Sequence, residues 1–171
     1  MGLVVAVDGP GGAGKGTICT IASRDLGFAY LDTGLLYRAV ASKLVKEGDE
    51  KVKSRAMDVA EKIRYEDLKS TSLRSSTVSE VASKIAVIPE VRRKLLEFQI
   101  KFSKDPRGAI LDGRDIGSTV CPNADLKIYI SASLDVRAER RWLEIIKLQP
   151  NVSYAKVRAD LEERDARDEN R

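Results

Sequence analysis

Val4-Val5-Ala6-Val7-Asp8-Gly9-Pro10-Gly11-Gly12-Ala13-Gly14-Lys15-Gly16-Thr17 leads from an apolar run straight into a glycine-dense turn that ends in one lysine. The order is that of a strand, an anion-binding loop and a helix. Wrapping a polyphosphate requires consecutive backbone N–H groups to point inward, and residues without a Cβ tolerate the φ angles and the close approach that this needs. The helix that follows offers unpaired N–H groups and the positive end of its dipole, and Lys15 reaches the outer phosphates. Gly9 to Gly14-Lys15 fits the P-loop spacing G-x-x-x-x-G-K, with one departure. The next position, where that pattern has a hydroxyl, is Gly16, and the hydroxyl comes one residue later at Thr17. Thr17 is therefore expected to meet a metal either directly or through water.

A chain of 171 residues suffices for one domain with its own core and a small inserted lobe, and is short for two. Its 43% apolar and 33% charged residues belong with soluble globular proteins, and its apolar runs are strand-length, so no membrane association is expected. Leu3 to Val7 is too short for a secretory signal and lacks a basic lead. Cys19 and Cys121 lie far apart without a metal or redox spacing, which favours buried thiols in a reducing cytoplasm. The absence of histidine removes imidazole bases and His-ligated metals. A net charge of +4 suits small polyanionic substrates and nucleic acid alike.

Along the chain, Ile18, Ile21, Ala22 and Leu26 form the apolar stripe of the first helix, which Gly27 ends. Phe28 to Leu31 is a short strand, Asp32-Thr33-Gly34 a turn and cap, and a second helix runs from Leu35 toward Gly48. Tyr37 and Arg38 near its start lie beyond the carboxyl end of a strand, where open α/β sheets bind ligands. Residues 51 to 64 fit an amphipathic helix, and the polar residues 65 to 76 read as a mobile connection. Thr77 to Glu80 fits a capping box opening a helix toward Val87, and Pro89 starts another with a stripe of Val91, Leu95, Phe98 and Phe102. Ala109 to Asp112 and Leu126 to Ile130 read as strands. Ser133 caps a helix that Gln149-Pro150-Asn151 breaks, and Ser153 caps the last, with Val152 and Val157 as its staple. Strands alternating with helices predict a parallel sheet covered on both faces.

Two further groupings carry chemistry. Asp112 ends an apolar strand, the usual place for a carboxylate that holds Mg²⁺ or its water shell beside a P-loop. In the same loop Arg114 offers a planar fork for a phosphate, and Asp115 accepts from an amino group. Arg164, Asp168 and Arg171 share one face of the last helix, and Arg137, Arg140 and Arg141 repeat the theme before Pro150. By composition alone these are solvated helices with i, i+4 pairs. Flanking the break at Pro150, they also look like two sides of a flap that closes over a transferring phosphoryl group, with Arg137 on the donor phosphates and Arg141 on the reacting group. Phosphoryl transfer needs positioning and positive charge rather than imidazole or thiolate, so the missing histidines count nothing against it.

The blocks Asp8 to Thr17, Leu31-Asp32-Thr33-Gly34-Leu35-Leu36-Tyr37-Arg38, Asp112-Gly113-Arg114-Asp115 and Arg164-Asp165-Ala166-Arg167-Asp168-Glu169-Asn170-Arg171 resemble, in that order, the bacterial cytidylate kinases, within the nucleoside monophosphate kinases. The resemblance implies transfer of the ATP γ-phosphoryl group to CMP or dCMP with Mg²⁺ present. It places Gly9, Pro10, Gly11, Gly12, Ala13, Gly14, Lys15, Gly16 and Thr17 on the ATP phosphates. Thr33, Tyr37, Arg38, Ser83, Arg92, Arg114 and Asp115 match its monophosphate site. Ser83, Arg92 and Asp115 would read the cytosine edge, Arg164 and Asp168 the pentose hydroxyls, and Arg38, Arg114 and Arg171 the acceptor phosphate. Hydrogen-bond chemistry agrees, since Arg donates to O2 and N3 while Ser and Asp accept from the 4-amino group. Two departures stand out: the β-rich insertion of many bacterial members is reduced to residues 65 to 76, and the family continues past the position of Arg171 into a last strand and helix. The choice between CMP and dCMP stays open.

The expected protein is thus a P-loop α/β kinase with helices on both faces of its sheet. Its core spans 1–32 and 106–140, a monophosphate-binding helical lobe about 33–105, and a short lid about 141–158. Lys15, Arg114, Arg141 and Asp112 carry catalysis, with Thr17 and Asp112 toward the metal. Its partners are ATP, CMP and dCMP, with no nucleic acid or membrane partner, and a monomer is expected. The alternatives are a small P-loop kinase for another monophosphate and a nucleotide-regulated RNA-binding module; with only 5% aromatic residues, base-stacking platforms are scarce.

Overall fold

In the computed structural model, which describes residues 2–47, 52–147 and 150–169, the strand before the P-loop sits inside the sheet. β1 (Val4–Asp8) pairs in parallel with β3 (Ala109–Gly113) on one side and β4 (Leu126–Tyr129) on the other, and β2 (Ala29–Asp32) pairs with the outer side of β3. The order β2-β3-β1-β4 puts the carboxyl ends of all four strands along one edge. In that register Asp32 lies opposite Asp112, and Asp8 opposite Gly113. A run such as Ala109-Ile110-Leu111, apolar at every position, suits a strand buried on both faces, and all five residues of β3 are buried.

Seven helices surround the sheet among the described residues. α1 (Lys15–Leu26) crosses one face, packing near Val7, Cys19 and Ile110. On the other face lie α2 (Gly34–Glu47), α3 (Val52–Glu61), α4 (Ser76–Ile85) and α5 (Pro89–Phe102), joined to Ala6, Leu31 and Leu111 in one core. α6 (Leu134–Ile145) and α7 (Tyr154–Glu169) share a smaller core of Ala138, Val157 and Leu161. Trp142 donates its indole N–H to the Val152 carbonyl at 3.0 Å and meets Tyr154 edge-on, which fixes the turn between them. Ser133 and Ser153 cap these two helices, accepting from the N–H groups of Val136 and Lys156.

Three expectations are corrected. Of the stripe assigned to α1 only Ala22 packs against the core: Ile18, Ile21 and Leu26 are 51, 48 and 59% exposed, and α1 buries Cys19 and Lys15. Residues 65 to 76 are not an irregular connection. They form two 3₁₀ turns, Tyr65–Lys69 and Thr71–Arg74, held by the buried Leu73 and by Asp67, which accepts from the Arg64 N–H and pairs with Lys43. The cap of α4 is Ser75, accepting from the Val78 N–H at 3.3 Å, rather than Thr77; Glu80 pairs with Lys84 along the helix. The sheet carries helices on both faces, as expected, and ends at β4, an edge strand whose four residues are all exposed. Gly48, Gln149 and Arg171, which entered the expectations above, lie outside the described residues.

Candidate active site

The chain reverses twice between β1 and α1. A Cβ on Gly9 (φ 144°) would drive into the Ile130 carbonyl, and Gly14 (φ 97°) caps α1 in a left-handed conformation that glycine adopts without strain. Asp8 fastens the start of this loop by accepting the Ile116 and Gly117 N–H groups at 2.7 and 2.8 Å. Lys15 is folded back along the loop, 6% exposed, donating to the carbonyls of Gly9 at 2.8 Å and Pro10 at 3.0 Å. Burial first, and Arg114 second, lower its ammonium to about 8, against the pull of Asp112 and Asp32. A lysine so held gains charge stabilisation when polyanion arrives.

Beside it stand two carboxylates on neighbouring strands. Asp112 is 5% exposed, and its Oδ2 accepts a short hydrogen bond from the Tyr30 hydroxyl. Its backbone carbonyl accepts from Thr33 Oγ1 at 2.8 Å and Thr33 N at 3.0 Å. Burial and then the negative charge of Asp32 push Asp112 up to about 6, with Tyr30, Lys15 and Arg114 pulling the other way. Burial and Asp112 together raise the Tyr30 phenol far above its ordinary value, so it stays a donor. Two carboxylates facing one cleft fit a divalent cation or its water shell. No group of three or more His, Cys, Asp or Glu able to hold a metal occurs among the described residues. Two carboxylates beside the P-loop lysine fit a cation that shares its coordination with a bound polyanion.

Several arginines line the same cleft as the loop. Burial, with Arg141, Arg74 and Arg114 close by, holds the Arg38 guanidinium below its ordinary range against the pull of Asp32. Four guanidiniums in one cleft with the P-loop favour binding of an anion there. That cleft has a volume of about 1820 Å³, above the 300–1,000 Å³ usual for one drug-sized ligand. Ser83, Arg92 and Asp115 line it as well. Arg92 is paired with the Asp115 carboxylate, and Ser83, 3% exposed, accepts from Arg167 Nε at 3.1 Å. A cleft lined by a P-loop, by several arginines and by mixed donors and acceptors suits a polar ligand that carries phosphate.

A family model described as cytidylate kinase matches residues 5–171. This chain belongs to the cytidylate kinase family. It is 46% identical to the cytidylate kinase of Paramagnetospirillum magneticum, over 100% of this chain and 83% of that one. To the cytidylate kinase of Cereibacter sphaeroides it is 45% identical, over 100% and 80%. A solved Thermus thermophilus structure, TT1252, is 21% identical at a TM-score of 0.43, covering 92% of this chain and 78% of that chain, a likeness too distant to bear on fold or site. The chain is a nucleoside monophosphate kinase, a phosphotransferase, and its P-loop and parallel sheet fit that class.

Most residues singled out from the kinase's sequence converge on the cleft: Gly11 through Thr17, Thr33, Tyr37, Arg38, Ser83, Arg92, Asp112, Arg114, Asp115, Arg141 and Arg164 all line it. Arg137 does not face the cleft. Its guanidinium is buried behind the loop, donating to the carbonyls of Ala132 at 2.9 Å and Gly11 at 3.2 Å and pairing with Asp165 at 2.7 Å, so it ties α6 and α7 to the P-loop. Asp168 stands one layer back, its side chain 8% exposed, holding Arg114 Nε at 2.8 Å, with Arg164 Nε 3.9 Å away. Gly9 and Pro10 supply the carbonyls that hold Lys15.

Three residues were missed by sequence reasoning. Asp32 ends β2 as Asp112 ends β3, a parallel that was readable but was taken for a helix cap. Arg74 reaches the cleft from a 3₁₀ turn that no periodicity announced. Tyr30 looked like a strand hydrophobe, and only the strand register shows its hydroxyl reaching Asp112.

Proposed function

We propose that this kinase transfers the γ-phosphoryl group of ATP to CMP or dCMP, giving CDP or dCDP and ADP. The observation that carries the reading is one cleft lined by the P-loop, by Arg38, Arg74, Arg114 and Arg141, and by Ser83, Arg92 and Asp115. The nucleophile is an acceptor phosphate oxygen, which is already largely deprotonated near pH 7, so no general base is needed. Catalysis then reduces to bringing two polyanions in line and neutralising the charge that spreads over the transferring group. Lys15 and the loop N–H groups hold the donor phosphates; Arg38 and Arg114, with Arg171, hold the acceptor phosphate. Arg141 reaches over the transferring group from α6. Mg²⁺ on the ATP phosphates would add charge neutralisation, with Asp112, Asp32 and Thr17 as the residues that hold it or its waters.

At the base, Arg92 donates to O2 and N3, while Ser83 and Asp115 accept from the 4-amino group; Arg164 and Asp168 take the pentose hydroxyls. The Arg92–Asp115 and Ser83–Arg167 contacts support this, because they orient those groups before substrate arrives. Residues 33–105 then act as the monophosphate-binding lobe, 141–158 as the lid, and 1–32 with 106–140 as the core. The separate packing of α6 and α7 is consistent with a lid that moves as a unit. A monomer in a reducing cytoplasm, acting on small nucleotides, fits the two buried free thiols of Cys19 and Cys121. No helix among the described residues is long and apolar enough to cross a membrane.

Coupled ADP release with Mg-ATP and CMP, dCMP, UMP or AMP tests the reading. CMP and dCMP should turn over at least about 100-fold more efficiently than UMP, whose 4-oxo group would face an unpaired acceptor. Equal use of UMP or AMP would remove the base assignment, and no turnover with any acceptor would remove the function. Ser83→Ala combined with Asp115→Ala should shrink the CMP/UMP ratio by roughly 10-fold or more, chiefly by losing CMP. An unchanged ratio takes both residues out of base readout.

A further inference from the structure

We propose that Tyr30 is a positioning residue whose hydroxyl takes the place of the one that Gly16 removes from the P-loop, holding Asp112 in orientation from the neighbouring strand. The G-x-x-x-x-G-K pattern is ordinarily followed by Ser or Thr, and here that position has no side chain. A Cβ built on Gly16 would lie 3.5 Å from the Tyr30 hydroxyl oxygen. The space a Ser or Thr side chain would enter therefore borders on the tyrosine oxygen. That oxygen donates to Asp112 Oδ2. Thr17, one residue further along α1, projects about 100° away from the Gly16 position, so its hydroxyl lines the cleft without occupying the space beside Tyr30.

The path of the tyrosine follows from the register. Tyr30 pairs with Ile110, and residues two apart on a strand share a face, so Tyr30, Ile110 and Asp112 point to the same side of the sheet. The ring of Tyr30 packs against Val7, Cys19 and Ile110 under α1, which leaves only its tip at the cleft. A rigid aromatic anchored in this way presents its hydroxyl with little freedom. A core aromatic with no further task would be served equally by phenylalanine, which makes the hydroxyl the testable part.

The inference rests on the reading that Asp112 serves the metal carried by the nucleotide. The test compares Tyr30→Phe, Tyr30→Phe/Gly16→Ser and Asp112→Asn with the unaltered chain. Mn²⁺ affinity of the ADP complex is read by electron paramagnetic resonance, kcat and KM for CMP by ADP release, and folding by circular dichroism. Tyr30→Phe should fold normally, weaken Mn²⁺ binding and lower kcat by about 10-fold each, the usual scale for a residue that orients a ligand, and leave KM for CMP within about twofold. Adding Gly16→Ser should restore a hydroxyl beside Asp112 and recover both to within about threefold of the original. Unaltered Mn²⁺ affinity and kcat in Tyr30→Phe, a loss that Gly16→Ser does not repair, or a Tyr30→Phe chain that fails to fold would each overturn the proposal. If Asp112→Asn binds Mn²⁺ as before, the metal reading of Asp112 fails and the proposal with it, whereas the acceptor assay above still stands.

Discussion

Lys15→Met is expected to lower kcat by about 10³-fold while leaving the far-ultraviolet spectrum unchanged. Lys15 is 6% exposed and donates to two loop carbonyls, so the loop keeps its shape around a preformed charge. Methionine preserves the apolar stem and removes a buried ammonium whose lowered pKa marks it as costly in the free enzyme. Stability should therefore change little although the reaction nearly stops. The same lysine sets a pH signature. Its ammonium is lowered to about 8, so it is charged below that pH and neutral above it. In the free enzyme kcat/KM for ATP should fall as pH rises through about 8. Bound polyphosphate raises the lysine again, so kcat itself should hold to higher pH. The residual kcat/KM of Lys15→Met should lack the alkaline limb. Near-normal turnover in Lys15→Met, or a limb that survives the substitution, would exclude this role.

The P-loop was legible because its signal is local: an apolar strand, glycines where the backbone must turn, and a lysine at fixed spacing need no knowledge of the rest of the chain. Asp112 was legible for the same reason, as a carboxylate ending an apolar run. What failed depended on partners far away in sequence. The Ile18, Ile21 and Leu26 stripe identifies residues on one side of α1, but periodicity does not say whether anything packs there, and these three are exposed. Residues 65 to 76 were read as loop from their polarity, whereas one buried leucine and the Asp67 contacts suffice for two 3₁₀ turns. Arg137 and Arg141 lie on the same helix, four residues apart. Only the placement of α7 separates them, since it sets Asp165 against Arg137 and leaves Arg141 at the cleft. Tyr30 and Asp32 gain meaning only from the pairing of β2 with β3.

Arg114→Ala should lower kcat by about 10³-fold with a much smaller rise in KM for CMP, because Arg114 belongs to both halves of the cleft. Its NH2 lies 3.3 Å from where a Cβ on Gly11 would stand, which puts it against the P-loop, while it also neighbours Arg38. Asp168 grips its Nε at 2.8 Å, and the Gly113 carbonyl accepts from NH1 at 3.2 Å, so the fork is oriented before substrate binds. Charge fixed in that way costs little reorganisation when the phosphoryl group is in flight between two phosphates. Arg114→Lys should recover only part of the loss, since a point charge does not reproduce a planar fork held on one side and free on the other. Alanine also leaves Asp168 with less compensation, so the lysine variant is the control against misfolding. A second readout separates this role from simple acceptor binding. Arg114 is the largest charge effect holding Lys15 down, so its removal should let Lys15 rise and move the alkaline limb of kcat/KM for ATP to higher pH. A variant that raises KM for CMP, keeps kcat and leaves that limb in place would make Arg114 a ground-state binding residue instead.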